Sequence, residues 1–299
     1  MKGMYTMYLE EFLHHLEVEK KMAQNTLEAY KRDVMDFFVF VKETDAAEMD
    51  TVSNTDVVSY LLKLKGENKS AATVNRKLAS VRAYYNFLQE KGRIIVNPTT
   101  GIKSPKIERK ELEYLTLSEV DRLLEMPDTS TRGIRDRAIL ELLYATGIRV
   151  NEIIAADVAD VNLRIGFFTC PGEHGKARII PIGRPARKAV EEYIFDARDL
   201  LLKDRKSENA LFVNYYGQRM TRQGLWKILK EYAAKAGISN KLTPHTLRNS
   251  FAVHMIQNGA DLKSLQDLLG HEDISATQVY LSVTKNRIKD VYDKTHPRA

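Results

Sequence analysis

Helical periodicity over the first 96 residues is the feature that most constrains the fold. Apolar side chains recur there at helical spacing, as at Tyr8, Phe12 and Leu16, and this pattern indicates helices only. Polar residues of the kind that begin helices precede later apolar faces at Asn54 and Ser70. Four amphipathic helices of this length form a compact bundle, so we predict a helical domain over residues 1–96.

A turn-rich and charged segment follows this block. Proline, glycine and asparagine cluster between residues 97 and 105, and charge dominates residues 103–110. This composition is typical of a domain boundary, so we predict a linker over residues 97–112. Its basic residues suit contact with a phosphate backbone and equally suit a solvated linker; they are Lys103, Lys106, Arg109 and Lys110, with Arg93 just outside.

The remaining residues, 113–299, combine helices with a small sheet. A helix is predicted to begin at Thr116 or Ser118, and an apolar helix over 136–145 to stop at Gly147. Strand-like alternation covers 158–163, 166–170 and 177–182, with a hairpin turn at 172–175. The other predicted helices span 185–202, 221–236, 244–257, 262–269 and 275–283. We therefore predict a mainly α chain with one small antiparallel β-sheet.

Composition bounds the compartment and the class of partner. The net charge of +6 and the sequence pI of about 9.1 are compatible with a polyanionic partner without requiring one. Cys170 is the only cysteine, which excludes an intrachain disulfide framework and fits a reducing compartment. The sequence contains neither a transmembrane-length apolar run nor an apolar signal-peptide core, so we expect a cytoplasmic protein with no membrane partner.

Reactive side chains cluster in the last quarter of the chain. Thr243 is a good N-cap and Pro244 suits the first helical position, which places His245 and Arg248 on one face of the helix. The dipole at such a helix start favours a nearby anion, and an arginine fork grips phosphate with two hydrogen bonds. Taken alone, such a pair is more often an ordinary surface histidine and arginine.

Further candidates stand on either side of that helix. His271 follows Gly270 at a predicted helix end, and a capping box of Ser275 and Gln278 is predicted to begin the helix that carries Tyr280. Upstream, Arg149 follows the break at Gly147, and Glu152 is placed to orient it. Each has an ordinary structural explanation, such as a packing tyrosine or a surface ion pair. Together, two arginines, two histidines and a tyrosine suit attack of a phenol on a phosphate.

These pieces, in this order, resemble the catalytic domain of the tyrosine recombinases, the phage-integrase-like family. The matching segments are Ala145-Thr146-Gly147-Ile148-Arg149, the spacing of His245 and Arg248, Leu268-Leu269-Gly270-His271 and the segment around Tyr280. The first block resembles the family's SAM-like core-binding domain, and the likeness is greatest to the Xer type, notably at Met220-Thr221-Arg222-Gln223-Gly224 and at the terminal His296-Pro297-Arg298-Ala299. The resemblance covers essentially the whole chain and implies two domains that clamp DNA.

The resemblance implies a role for each matching residue. Tyr280 would form a 3′-phosphotyrosyl bond with DNA, and Arg149 and Arg248 would bind the non-bridging oxygens. His245 and His271 would handle charge and protons. Phosphoryl transfer of this kind depends on positioning and charge stabilisation, and a covalent intermediate conserves the bond energy. We therefore expect no cofactor, neither ATP nor a metal ion.

The sequence departs from the family at two positions. The lysine that protonates the leaving oxygen usually lies in the hairpin turn, where this chain has Glu173 on ungapped alignment. We assign the acid to Lys176, three residues later in the same turn, with His174 or slow cleavage by the isolated protein as the alternatives. The second departure is Asn249, where the family usually has histidine, and there we expect a change in packing or in support of the site.

Double-stranded DNA at a specific recombination site is the implied partner. We expect helices to contact it through side chains suited to phosphates and to guanine and adenine edges. The candidates are Asn75, Arg76, Lys77, Arg82, Arg222 and Gln223. A homo- or hetero-tetramer with a related recombinase is implied, in which a C-terminal helix anchored by Val291 and Tyr292 docks on a neighbouring subunit. A DNA translocase is a further partner that the resemblance raises.

Three functions remain distinct at this point. The resemblance favours a site-specific recombinase, linked to resolving chromosome dimers at segregation through a Holliday junction. The departure at Glu173 leaves open an accessory DNA-binding protein of the same fold with weak or conditional catalysis. A mobile-element integrase is the third, although no extra N-terminal arm-binding domain is apparent.

Overall fold

A computed structural model describes residues 2–43, 52–106, 111–170, 177–203, 208–239, 242–271 and 273–281. The chain divides into two compact units, Met1–Lys110 and Glu111–Ala299. Both are built mainly from helices, and one three-stranded antiparallel sheet lies in the second unit. The predicted fold class is therefore confirmed. No described helix has the length and apolar character needed to cross a membrane.

The first unit is a bundle whose helices begin where polar side chains can cap them. Ser53 and Ser70 each accept a hydrogen bond from a backbone amide of the first turn, and Asp56 completes a capping box with Ser53. Aromatic rings fill the interior; Phe12 and Phe38 both contact Tyr84 in edge-to-face geometry. The helices are α1 (Lys2–Val18), α2 (Gln24–Glu43), α3 (Asn54–Gly66) and α4 (Ala71–Glu90).

A buried carboxylate joins α2 to α4. Asp33 is fully buried and is bound by Arg76, Lys77 and Ser80, all on α4. A buried charge is tolerated when it is paired and hydrogen-bonded in this way. The Lys77 side chain is only 9% exposed and also pairs with Asp36 at 2.6 Å, so its ammonium group forms ion pairs with two carboxylates of α2.

The residues predicted on α4 as DNA contacts all have partners within their own unit. Asn75 donates to the carbonyl of Pro105 at 2.8 Å, and Arg82 donates to that of Ile102 at 2.9 Å. Arg76 keeps 47% of its side chain exposed beside Asp33. These bonds hold residues 102–105 against α4, within the segment predicted as a linker. Contact with DNA, and the linker itself, stay predictions.

The second unit packs helices around one side of a short sheet. Strand β2 lies in the centre and pairs antiparallel with β1 and β3, with Phe168 opposite Val161 and Ile180. The burial of Phe168, Cys170 and Ile180 places this face of the sheet in the main core. The strands are β1 (Val161–Asn162), β2 (Phe167–Cys170) and β3 (Arg178–Pro181). The helices are α5 (Leu117–Glu125), α6 (Thr131–Thr146), α7 (Val150–Ala155), α8 (Arg184–Glu192), α9 (Arg198–Leu202), α10 (Arg222–Lys235), α11 (Pro244–Gln257), α12 (Leu262–Leu269) and α13 (Ser275–Gln278).

Some predicted element bounds need correction. Residues 158–160 form a single 3₁₀ turn and only Val161–Asn162 pair as a strand, because Asp157 and Asp160 close a capping box there. The helix predicted over 185–202 contains one π-helical turn, Tyr193–Ala197. The capping box of Ser275 with Gln278 is wrong: Ser275 is already helical, and its amide donates to Asp273.

Gly147 ends α6 in a left-handed conformation (φ 59°) against the ring of Phe251. A Cβ atom there would meet Phe251 Cδ1 at 2.5 Å, so alanine suffers both backbone strain and a clash. Gly237 has a similar φ of +70° with open space around it, which makes it a matched control.

We predict that Gly147→Ala lowers the free energy of unfolding by about 2–4 kcal/mol, and Gly237→Ala by about 1–2 kcal/mol. Urea denaturation followed by circular dichroism measures both. Equal losses in the two variants would contradict the packing account of Gly147.

Candidate active site

The end of α6 places Arg149 at the site. Gly147 reverses the chain, and Arg149 then occupies the N-cap position of α7. Glu152, one turn later, accepts hydrogen bonds from the Arg149 backbone amide at 2.6 Å and from its guanidinium at 3.1 Å. A second guanidinium nitrogen donates to the carbonyl of Gly270 at 3.1 Å. The side chain remains 40% exposed, so it is fixed in direction while it faces solvent.

Glu152 also holds an arginine from the sheet. Arg178, the first residue of β3, donates to both carboxylate oxygens at 2.8 and 2.9 Å and to the carbonyl of Leu268 at 2.9 Å. Burial of Glu152 raises its pKa, but the bonds from Arg178 and Arg149 outweigh burial and leave that pKa below its usual value. The carboxylate is therefore ionised at neutral pH and partly offsets two positive charges.

Helix α11 presents His245 and Arg248 as the sequence predicts. The hydroxyl of Thr243 accepts a hydrogen bond from the amide of Thr246, and Pro244 occupies the first turn, so the predicted cap is confirmed. His245 is exposed in the first turn, whereas Arg248 is buried one turn later. The dipole of α11 points its positive end toward the position that an anion would take.

Arg248 is held by three acceptors. Its guanidinium donates to the carbonyl of Gly147, to that of Leu269 at 2.7 Å and to His271 Nε2 at 3.0 Å. Since arginine has five N–H groups, two remain for the phenol of Tyr280 or for a phosphate oxygen. Burial, followed by the nearby charge of Arg149, lowers the Arg248 pKa to about 10. The group still carries its charge at neutral pH.

His271 is neutral and its tautomer is defined by its partners. Its Nε2 accepts from Arg248, so the proton lies on Nδ1, which donates to the hydroxyl of Thr277 at 2.9 Å. Burial, and then the charges of Arg248 and Arg149, lower the His271 pKa to about 4. Nε2 can accept a proton only if the Arg248 N–H that now donates to it turns to another acceptor.

Tyr280 lies beside these residues, just after α13. Its side chain is 5% exposed and packs with Phe251 and Leu269. Burial raises the Tyr280 pKa, although the charge of the adjacent Arg248 opposes the rise. The hydroxyl donates to Asn249 Oδ1 at 3.2 Å, so the phenol is protonated at rest.

Backbone carbonyls at two helix ends hold all three arginines. Gly147 caps α6, and Leu268, Leu269 and Gly270 lie at the end of α12, where Gly270 again adopts a left-handed conformation. These carbonyls have no partner within their own helices, and the helix dipole makes them partly negative. They therefore satisfy guanidinium groups without neutralising them, which keeps the site cationic.

An open pocket of about 300 Å³ lies in front of this cluster. Arg149, His245 and Arg248 line it, and so do Arg222 and Trp226 from α10. The remaining lining residues are Ile148, Val150, Asn151 and Pro244. A pocket of this size lined by three arginines and a helix N-terminus suits a phosphate of a larger substrate.

Most of the predicted catalytic residues come together in this way. Arg149, His245, Arg248, His271 and Tyr280 belong to one cluster, although their catalytic roles stay predictions. Lys176, with its alternative His174 and the departure Glu173, lies outside the described residues. The same holds for the C-terminal helix with Val291 and Tyr292.

The predicted base-reading residues lie on α10. Arg222 donates to Asn151 Oδ1 at 2.6 Å and so belongs to the pocket rim, and Gln223 is exposed beside it. Their contact with bases stays a prediction.

Sequence reasoning gave no role to two site residues. Arg178 has no local signal for its bond to Glu152, which lies 26 residues away. Thr277 resembles any helical threonine. Asn249 was expected to change packing or the support of the site, and its bond to the Tyr280 hydroxyl agrees with the second of these.

Comparison with known proteins agrees with this arrangement. The model of the Phage integrase family matches residues 113–287, and the model of its N-terminal SAM-like domain matches residues 9–92. The chain is 47% identical over 292 residues to tyrosine recombinase XerD of Oceanobacillus iheyensis, covering 97% of this chain and 98% of that protein. It is 44% identical to XerD of Listeria innocua, covering 97% of this chain and 99% of that protein.

Solved structures share the fold. A crystal structure of XerA recombinase is 26% identical with a TM-score of 0.54, over 98% of this chain and 99% of that chain. A structure of XerH site-specific recombinase bound to a palindromic difH substrate is 19% identical with a TM-score of 0.76, over 95% of this chain and 82% of that chain.

The lowered pKa of His271 predicts acid sensitivity. The unfolded chain takes up a proton near pH 6.5 while the folded protein resists until about pH 4, so stability is lost as pH falls across that window. We predict that His271→Gln recovers about 1–3 kcal/mol of the stability lost between these pH values. Urea unfolding at half-unit pH steps measures this, and parallel curves for both proteins would contradict it.

Proposed function

This chain belongs to the phage integrase family of tyrosine recombinases, and from that premise we propose that it cleaves and rejoins DNA at a specific site through a covalent phosphotyrosyl intermediate. The observation that carries the proposal is the placement of Tyr280 beside Arg248, whose guanidinium also binds His271 and lines a cationic pocket. XerD relatives that match along 97% of the chain support the same function. Chromosome-dimer resolution through a Holliday junction is the cellular role that fits those relatives.

The proposed chemistry is a transesterification. The Tyr280 oxygen forms a bond to phosphorus and loses its proton, while the bond from phosphorus to the 5′-oxygen breaks and that oxygen gains a proton. A 3′-phosphotyrosyl link and a free 5′-hydroxyl result. The reverse step on a second duplex rejoins the strand, because the covalent link conserves the energy of the phosphodiester.

Arg149 and Arg248 are proposed to bind the non-bridging oxygens of the phosphate. Charge that develops on these oxygens in the transition state is best stabilised by donors that are already fixed. Glu152 and the helix-end carbonyls fix both guanidinium groups in the DNA-free protein. His245, exposed at the start of α11, is placed to donate a further hydrogen bond to the same phosphate.

Lys176 is proposed as the acid that protonates the leaving 5′-oxygen. Arg178 is bound to Glu152 at the site, and Lys176 is two residues from it in sequence. Glu173 is five residues from Arg178 in sequence.

Double-stranded DNA at a recombination site is the proposed substrate. Arg222 and Gln223 on α10 are proposed to contact bases, and Asn75, Arg76, Lys77 and Arg82 to contribute from the first unit. We further propose that the protein forms a tetramer, either of identical subunits or with a related recombinase, joined through the C-terminal helix. Activation by a DNA translocase and a cytoplasmic location are also part of the proposal.

A nicked suicide substrate that carries the organism's own recombination site tests the proposal, with EDTA present. We expect wild type to form a protein–DNA adduct on a denaturing gel, and Tyr280→Phe to form none. Lys176→Ala should slow adduct formation by about 10²–10⁴-fold, since that is the usual contribution of a general acid. Glu173→Ala and His174→Ala, close to Lys176 in sequence, are the matched controls, and both should retain the adduct.

Each contrary result has a distinct meaning. An adduct that survives Tyr280→Phe would contradict the proposed nucleophile. Loss of activity in His174→Ala rather than Lys176→Ala would move the acid to His174. No adduct from wild type, with site-specific binding intact, would favour the accessory DNA-binding role.

A further inference from the structure

A chain of two hydrogen bonds links the Tyr280 phenol to the backbone. The Tyr280 hydroxyl donates to Asn249 Oδ1 at 3.2 Å, and Asn249 Nδ2 donates to the carbonyl of Glu113 at 3.0 Å. The second bond fixes the orientation of the amide, because only its nitrogen can donate to a carbonyl. The oxygen of Asn249 therefore faces Tyr280, and the phenol proton is committed to it.

The position of the phenol matches a resting arrangement. Tyr280 is 5% exposed, and its ring packs with Phe251 and Leu269 in the small core beneath α11 and α12. Among the described residues, those that line the pocket in front of Arg149 and Arg248 include neither Tyr280 nor Asn249. Tyr280 thus contacts Arg248 without itself lining the space that a phosphate would enter.

The amide of Asn249 cannot act as a base for the phenol. An amide oxygen accepts a hydrogen bond but does not take up a proton near neutral pH, so the bonded phenol keeps its hydrogen. An attacking phenol must transfer that hydrogen to a base as the bond to phosphorus forms. The bond to Asn249 is consequently incompatible with the attack step and must break first.

We propose that Asn249 is a positioning residue that holds the Tyr280 hydroxyl through this hydrogen bond before DNA binds, and that release of the bond precedes strand cleavage. The inference rests on the proposed function, because it takes Tyr280 as the nucleophile. The carbonyl that Asn249 binds belongs to Glu113, near the start of the second unit in sequence.

The expected effect is modest and measurable. One neutral hydrogen bond contributes a factor of about 3–10 to an equilibrium between two arrangements. Removing the Asn249 side chain should therefore speed single-turnover cleavage of the suicide substrate by about 3–10-fold. The dissociation constant for the DNA site should stay unchanged, because neither Asn249 nor Tyr280 lines the pocket.

Two variants separate the hydrogen bond from packing. Asn249→Leu keeps the volume of the side chain and removes both polar groups, and Asn249→Ala removes volume as well. Asn258→Ala is the matched control, since Asn258 lies at the end of the same helix and donates to the carbonyl of His254 at 2.9 Å. Both Asn249 variants should cleave faster than wild type, and Asn258→Ala should not.

A readout independent of cleavage completes the test. Tetranitromethane nitrates accessible tyrosines. After treatment of the protein without DNA, mass spectrometry of the peptide that contains Tyr280 measures the fraction of Tyr280 that is nitrated. We expect several-fold more nitration of Tyr280 in both Asn249 variants than in wild type or Asn258→Ala. Cleavage that is unchanged or slower in the Asn249 variants, or nitration that is unchanged, would overturn the proposal.

The two proposals fail in different ways. If no protein in the set forms an adduct, the recombinase function is contradicted, and the nitration contrast still decides whether Asn249 restrains the phenol. If the adduct forms through another residue, the nucleophile is wrong. An adduct that requires Tyr280 together with equal nitration across the variants rejects the role of Asn249 alone.

Discussion

The bidentate pair of Glu152 with Arg178 is the interaction on which the rest of the site depends. It joins β3 to α7, and the same carboxylate holds the backbone and guanidinium of Arg149. Three guanidinium groups converge here, and like charges in a partly buried site repel one another. One carboxylate that is bonded on both oxygens lowers that repulsion while leaving a net positive charge for an anionic substrate.

Helix ends supply the remaining support without adding charge. The left-handed glycines at the ends of α6 and α12 turn the chain so that terminal carbonyls face the arginines. The start of α11 contributes the opposite end of a dipole, together with His245. The pattern explains how a site assembled from distant segments is fixed before DNA binds, which is the condition for electrostatic stabilisation of a transition state. Tyr280 is the exception, because its hydroxyl is bonded to the amide oxygen of Asn249.

The sequence predicted helix bounds correctly where capping residues mark the start and the end of a helix. The helices over 244–257 and 262–269 have the predicted bounds, since Thr243 with Pro244 and Gly270 are strong start and stop signals. The predicted cluster of arginines, histidines and tyrosine followed from family spacing. Competition among local caps made another prediction wrong: Asp273, rather than Ser275, supplies a side chain that binds an amide of the first turn of α13, since it accepts from the Ser275 N–H. Long-range bonds such as Arg178 to Glu152 and Asn249 to Tyr280 leave no periodic trace, so only the structure revealed them.

The most direct measurement is the identity of the residue joined to DNA after cleavage of a suicide substrate. Protease digestion of the trapped adduct, followed by tandem mass spectrometry, gives both the modified residue and the end of the DNA strand attached to it. The account predicts a single nucleotide-bearing peptide, linked at Tyr280 through a 3′-phosphate. Linkage at another side chain, or through a 5′-phosphate, would contradict it.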